Sequence, residues 1–206
     1  MENFTIQETY QGTIQGEGYW QGCLVDFIRF YGCPVGCCWC DQEYGNNNMK
    51  LSKQNITLDK LITELKSPRV VITGGEPFIY KNLPVLVNEI LNNGKQVSIE
   101  TSGAFWLELS SQAWITLSPK EHINSKYPVQ KYFWERCNEI KLIIETGKEV
   151  DYYLQYINWS KPVYFQPEWF TLLENQKKQQ DLLINLLQKY PTAKISLQMH
   201  KYLGIY

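Results

Sequence analysis

An α/β fold around a parallel sheet is predicted by three features of this 206-residue chain. Short β-like runs alternate with stretches of helical periodicity, the order that parallel sheets with crossover helices produce. The length suits one sizeable buried core and is short for two. Neither an internal repeat nor a linker divides the chain, so residues 1–206 read as a single domain.

The strands are expected at Leu24–Phe30, Arg69–Thr73, Gln96–Glu100, Trp114–Leu117, Glu139–Ile144, Val163–Phe165 and Lys194–Leu197. A helix is expected over Thr57–Lys66, with the Thr57 hydroxyl capping its first free amides. A second spans Leu83–Leu91 and stops at Asn92, Asn93 and Gly94. A third runs from Leu172 to Tyr190, where Leu182, Leu183, Leu186 and Leu187 form an apolar stripe and Pro191 ends it. Tyr44–Asn48, rich in Gly and Asn, reads as an exposed loop, and His122–Phe133 shows no periodicity that places it.

The balance of charges is near neutral, with a net charge of −1 and no long basic run, which argues against a phosphate backbone as partner. No stretch approaches the roughly 20 apolar residues of a membrane span, and the N-terminus lacks the features of a signal peptide. A cytoplasmic protein is expected, with no nucleic-acid or membrane partner. In that compartment thiols stay reduced, so a dense cysteine group points to metal or redox chemistry. Four of the six cysteines fall in GCPVGCCWCD; the other two, Cys23 and Cys137, read as small buried apolar residues.

Cys33, Cys37 and Cys40 have the spacing C-x3-C-x2-C directly after a strong strand. Thiolates are the soft ligands of iron–sulfur clusters, and three of them leave one iron of a four-iron cluster open to another ligand. Zinc is the competing reading, with Cys38 as a fourth ligand, although adjacent residues rarely converge on one metal. A cysteine-rich loop without metal is the third. Further on, TGGEP (Thr73–Pro77) follows the second strand. Its glycines permit close backbone approach, and Glu76 offers an anion to an ammonium group.

The cysteine loop, with Trp39 at its aromatic position, and TGGEP resemble the radical S-adenosylmethionine (SAM) superfamily. TIQGEG (Thr13–Gly18), FIRFYGCPVGCCWCD, VVITGGEP, IETSG, ITLSPK and ISLQMHKYLGIY, in that order, resemble the 7-carboxy-7-deazaguanine synthase family over most of the chain. The resemblance implies an incomplete TIM-like β/α barrel of the radical SAM type, with its site at the C-terminal ends of the strands. It also implies conversion of 6-carboxy-5,6,7,8-tetrahydropterin to 7-carboxy-7-deazaguanine with loss of ammonia, in the biosynthesis of 7-deazapurines such as queuosine. The cofactors would be a 4Fe-4S cluster on the three cysteines, SAM, and Mg2+. An electron donor such as flavodoxin or ferredoxin and a homodimer are further implications.

Site residues carry over from the same blocks. Ile14, Gln15, Gly16 and Glu17 would meet the pterin, and Arg29 would fork onto its carboxylate, with a structural ion pair as the alternative. Thr73, His200 and the terminal carboxylate of Tyr206 complete the substrate side, with Glu17, Arg29 and His200 as the catalytic candidates. Trp39, Gly75, Glu76, Glu100 and Ser102 would lie on the SAM side. Ser118, Pro119 and Lys120, together with Gln166, Pro167, Glu168 and Trp169, resemble the remaining SAM contacts. One position departs from the family: Gln42 stands where a threonine hydroxyl usually binds magnesium, with Asp41 beside it as a candidate compensating ligand. Two other readings are a radical SAM enzyme that makes a glycyl radical on a partner protein and a noncatalytic zinc module. The first shares the cysteine loop and GGEP but leaves TIQGEG and QMHKYLGIY unexplained.

Overall fold

The computed structural model describes residues 2–40 and 53–205. Among these residues nine strands form one sheet: β1 (Asn3–Ile14), β2 (Leu24–Phe30), β3 (Gln54–Thr57), β4 (Arg69–Gly74), β5 (Gln96–Thr101), β6 (Trp114–Leu117), β7 (Glu139–Ile144), β8 (Val163–Pro167) and β9 (Lys194–Ile195). Their order is β3-β1-β2-β4-β5-β6-β7-β8-β9, so β2 and the strands from β4 onward follow chain order. Every pair from β2–β4 to β8–β9 is parallel. β1 lies antiparallel between β2 and β3 and forms a ribbon along one edge. The sheet is not closed, and the architecture is the incomplete β/α barrel expected.

All seven expected strands are present, the last reduced to Lys194–Ile195. β1 and β3 were not anticipated. β1 buries Phe4 and Ile6 but is otherwise rich in Gln, Thr and Glu, as an edge ribbon with one wet face can be. Its register shifts between Tyr10 and Thr13, where the Gly12 amide donates to Asp26 Oδ1 at 2.8 Å. Asp26, fully buried on β2, also accepts from the amides of Lys66 and Ser67 and from the Ser67 hydroxyl. These donors outweigh burial and hold its carboxyl below the ordinary range.

The helices are α1 (Leu58–Glu64), α2 (Leu83–Asn92), α3 (Lys131–Arg136), α4 (Lys148–Tyr153), α5 (Trp169–Glu174), α6 (Gln176–Lys189) and α7 (Met199–Leu203). Thr57 caps α1 as expected, its hydroxyl accepting from the Lys60 amide. The expected helix from Leu172 to Tyr190 is two helices that meet at Asn175, and its apolar stripe buries Leu183 and Leu186. The segment His122–Phe133 leads into α3, whose Phe133 is buried. Cys137 is buried as expected, whereas Cys23 is only half-buried, in the turn that returns the chain to β2. The loop expected at Tyr44–Asn48 lies outside the described residues. The core is continuous from Phe4 and Phe30 through Ile72, Ile99 and Ile115 to Phe165.

Candidate active site

The C-terminal ends of the parallel strands surround a cavity of about 230 Å³. The loop after β2 contributes Cys33, Cys37, Trp39 and Cys40, and the end of β4 contributes Thr73, Gly74 and Gly75. Glu100 comes from β5 and Ser102 directly follows it, Ser118 and Lys120 follow β6, and Gln166 and Pro167 end β8 with Glu168 and Trp169 after them. Ile14, Gln15, Glu17 and Arg29 face the same space from the ribbon side, and His200 faces it from α7. Gly16 and Pro119 do not line it, although both are buried beside residues that do. Gln42, Asp41 and Tyr206 lie outside the described residues.

The TGGEP turn is held by backbone contacts. The Gly75 amide donates to Phe30 O at 2.8 Å and the Glu76 amide to Gly32 O at 3.0 Å. A Cβ on Gly75 would run into the backbone of Gly32, so only glycine allows the turn to lie this close to the cysteine loop. The close approach that the sequence pointed to is therefore made first to the protein's own chain. Glu76 is 1% exposed. Its Oε1 accepts from Phe78 N at 3.2 Å and Thr101 Oγ1 at 2.7 Å, and its Oε2 from the amide and hydroxyl of Ser102 at 2.9 and 2.5 Å. Burial raises its pKa, and these neutral donors only partly oppose the rise. Glu76 thus fastens the turn to the end of β5.

The three cysteines belong to a short turn in which Cys40 N donates to Cys37 O at 3.2 Å. Burial pushes the Cys33 thiol up to about 11 and also raises Cys37, while Lys120 pulls Cys37 back in part. Cys33, Cys37 and Cys40 face one cavity, and as thiolates they repel one another. Such a set calls for a cationic metal group. A cluster in which each thiolate meets its own iron fits this arrangement.

Lys120 donates to the carbonyl and hydroxyl of Ser118, and its ammonium lies 5.5 Å from the centre of the Trp39 ring. Burial lowers it to about 8, against the pull of Cys37, Glu100 and Glu17. Gln166 accepts from Ser196 Oγ, and Glu168 accepts from the amide and hydroxyl of Thr171 at the start of α5. Trp169 packs edge-on against Tyr202 with Lys201 over its ring.

The segment after β1 is clamped by the C-terminal part of the chain. Gly16 O accepts from Met199 N, and Gly18 N donates to Ser196 Oγ. A side chain on Gly16 would occupy the space of the His200 ring, which explains the glycine at this position. Lys141, on β7, donates to Glu17 Oε2 and Glu100 Oε2, each at 2.5 Å. Gln198 donates to the other Glu17 oxygen and Gln15 to the other Glu100 oxygen. Burial alone would raise Glu17, but Lys141, Gln198 and His200 bring it down to about 2. Lys141 itself is raised despite its burial, because two carboxylates embrace it.

One sequence reading needs qualification, and one residue was not read at all. Arg29 lines the cavity but pairs with Glu8 at 3.1 Å and stacks at 5.8 Å from the Tyr10 and Phe27 rings. The structural ion pair weighed for it is thus present. Lys141 was missed altogether, since a lone lysine in EIKLII carries no motif. Its only signal was a second charge, two residues after Glu139, on a strand otherwise apolar enough to be buried.

A cysteine loop after the first parallel strand and a glycine turn after the second, both facing one cavity in an open β/α sheet, define a radical SAM enzyme. A profile described as the Radical SAM superfamily matches residues 27–113. A 7-carboxy-7-deazaguanine synthase of Synechocystis sp. is 36% identical, with 98% of this chain and 94% of the relative covered. One from Aquifex aeolicus is 35% identical over 95% and 91%. The crystal structure of QueE from Escherichia coli superposes with a TM-score of 0.81 at 28% identity, covering 96% of this chain and 95% of that one. The chain belongs to the 7-carboxy-7-deazaguanine synthase family. Radical SAM membership implies a four-iron cluster and SAM as cofactors. Neither the glycyl-radical activating enzyme nor the zinc module finds support among these relatives.

Proposed function

We propose that this chain converts 6-carboxy-5,6,7,8-tetrahydropterin to 7-carboxy-7-deazaguanine with release of ammonia, in 7-deazapurine biosynthesis. One observation carries the reading: the cysteine loop and glycine turn share a cavity with the Gln15–Glu17 segment and His200. When bound, the cluster and SAM supply a 5′-deoxyadenosyl radical able to take hydrogen from C6 of the pterin.

The protein's part is to bind, orient and shield. Cys33, Cys37 and Cys40 would hold the cluster. Gly75, Glu76, Glu100, Ser102, the Ser118–Lys120 segment and Gln166 to Trp169 would seat SAM around it. Ile14, Gln15, Gly16 and Thr73 would frame the pterin, and Glu17, kept anionic, would accept from its N–H edge. Arg29, one nitrogen of which already faces Glu8, has further donors for the substrate carboxylate. His200, beside Glu17, would hold or release a proton at an imidazole nitrogen. Gln42 is the candidate for magnesium, and Tyr206 would close the substrate side. A cytoplasmic homodimer fed by a flavodoxin or ferredoxin is part of the same reading. No helix among the described residues is long and apolar enough to cross a membrane.

The test is anaerobic turnover of cluster-reconstituted protein with SAM, a reductant and 6-carboxytetrahydropterin, followed by mass spectrometry. 7-Carboxy-7-deazaguanine is the expected product. Cleavage of SAM without that product would refute the assigned substrate.

A further inference from the structure

Lys141 is the feature of the cavity that the motifs leave unassigned. Its side chain is 3% exposed in the middle of a strand core, yet its ammonium meets carboxylates from two different elements. The two Oε2 atoms lie within about 5 Å of each other, because both touch the same nitrogen. The two side chains are only 15% and 18% exposed, and carboxylates this close and this shielded share a proton unless a cation lies between them. The neutral donors present, Gln198 on Glu17 and Gln15 on Glu100, serve one carboxylate each and leave the mutual repulsion in place.

We propose that Lys141 is a positioning residue shared by two ligand subsites, keeping Glu17 open to the pterin and Glu100 open to SAM at the same time. The inference rests on the functional reading above, which puts the pterin at Glu17 and SAM at Glu100. It makes the two subsites energetically linked through one ammonium, since a change at either carboxylate is felt at the other. The other charged groups facing this pair do not replace it. Glu139, from the same strand, is occupied by Thr116 Oγ1 and the Tyr19 amide. Lys120 turns to Ser118, and His200 reaches Glu17 from α7.

The experiment is SAM binding to the anaerobic, cluster-loaded protein, measured by calorimetry across pH. Lys141→Met is expected to weaken SAM about tenfold at neutral pH, with affinity returning as the shared proton leaves at higher pH. Adding Glu17→Gln to Lys141→Met is expected to restore SAM affinity to within about threefold of wild type, because Glu100 then has no carboxylate to share a proton with. Rescue of SAM binding by a change in the pterin subsite is an outcome that a merely structural lysine does not produce. Unchanged SAM affinity in Lys141→Met would overturn the proposal. So would a loss that is equal at every pH and not relieved by Glu17→Gln. Should Lys141→Met fail to fold, the double variant decides alone: affinity near wild type supports the proposal and a loss of about tenfold or more overturns it. Failure of the functional reading registers separately, as wild-type protein that binds SAM but not 6-carboxytetrahydropterin.

Discussion

In the glycine turn, the buried carboxylate of Glu76 is held by four neutral donors, whereas across the cavity Glu17 is held by an ammonium and an amide. The first arrangement leaves the acid's pKa above its ordinary 4.5; the second brings it to about 2. Burial raises both acids, Glu76 at 1% exposure and Glu17 with 15% of its side chain exposed, but the direction of the net shift lies in the partner: hydrogen bonds from neutral groups soften desolvation, and a cation reverses it. The turn side is built largely from backbone contacts that glycines permit. The far side is built from side-chain charge, and its partners come from β7 and the C-terminal segment.

The comparison can be broken most severely on the turn side. Cys37→Ala is expected to abolish both iron binding and turnover, read by iron and sulfide analysis and by product formation. Retained iron with full turnover would show that the loop is not the cluster site. Gly75→Ala is expected to cost about 3 kcal/mol or more, since its methyl meets backbone and not a movable side chain. Denaturant unfolding at neutral pH measures this, and a loss below about 0.5 kcal/mol would mean that the turn can retreat from Gly32.

Smaller effects sharpen the contrast. Glu76→Gln replaces an accepting oxygen by a donor that faces two donors, and is expected to cost about 1–3 kcal/mol. Because the folded pKa of Glu76 is raised, the folded state holds that proton more tightly than the unfolded chain. Stability from this residue therefore falls as pH rises from 4.5 through the folded value. Glu17 has the opposite sign. Its contribution is present above the unfolded value of 4.5 and is lost as pH falls toward about 2. Glu17→Gln should accordingly flatten the acid limb of the stability profile, and Glu76→Gln should reduce the decline above pH 4.5. Identical profiles for the two variants would erase the distinction between them.

How much of this was legible in the sequence follows the same division. The cysteine loop, TGGEP and the parallel strands are local, so each announces itself within a dozen residues. Leu24–Phe30, Trp114–Leu117 and Glu139–Ile144 were placed to the residue. β1 was passed over because NFTIQETYQGTI interrupts its apolar positions with polar ones, and its burial comes from pairing with β2 and β3. The far side of the cavity is non-local. Lys141 meets partners 124 and 41 residues away, and no window of sequence brings those together. The occupied state of Glu76 was hidden for a related reason, as two of its four donors come from Ser102 on the next strand's end.

The clamp of Gly16 and Gly18 by Met199 and Ser196 also sets an order of assembly. A ribosome has finished both the cysteine loop and the glycine turn before it reaches residue 80. The segment that closes over Gly16 emerges well over a hundred residues later, which at about 5–20 residues per second is a delay of many seconds. The half of the cavity that carries the cysteine loop and glycine turn is thus translated first and stands uncovered in the nascent chain, with the Gly16–Gly18 half closing last.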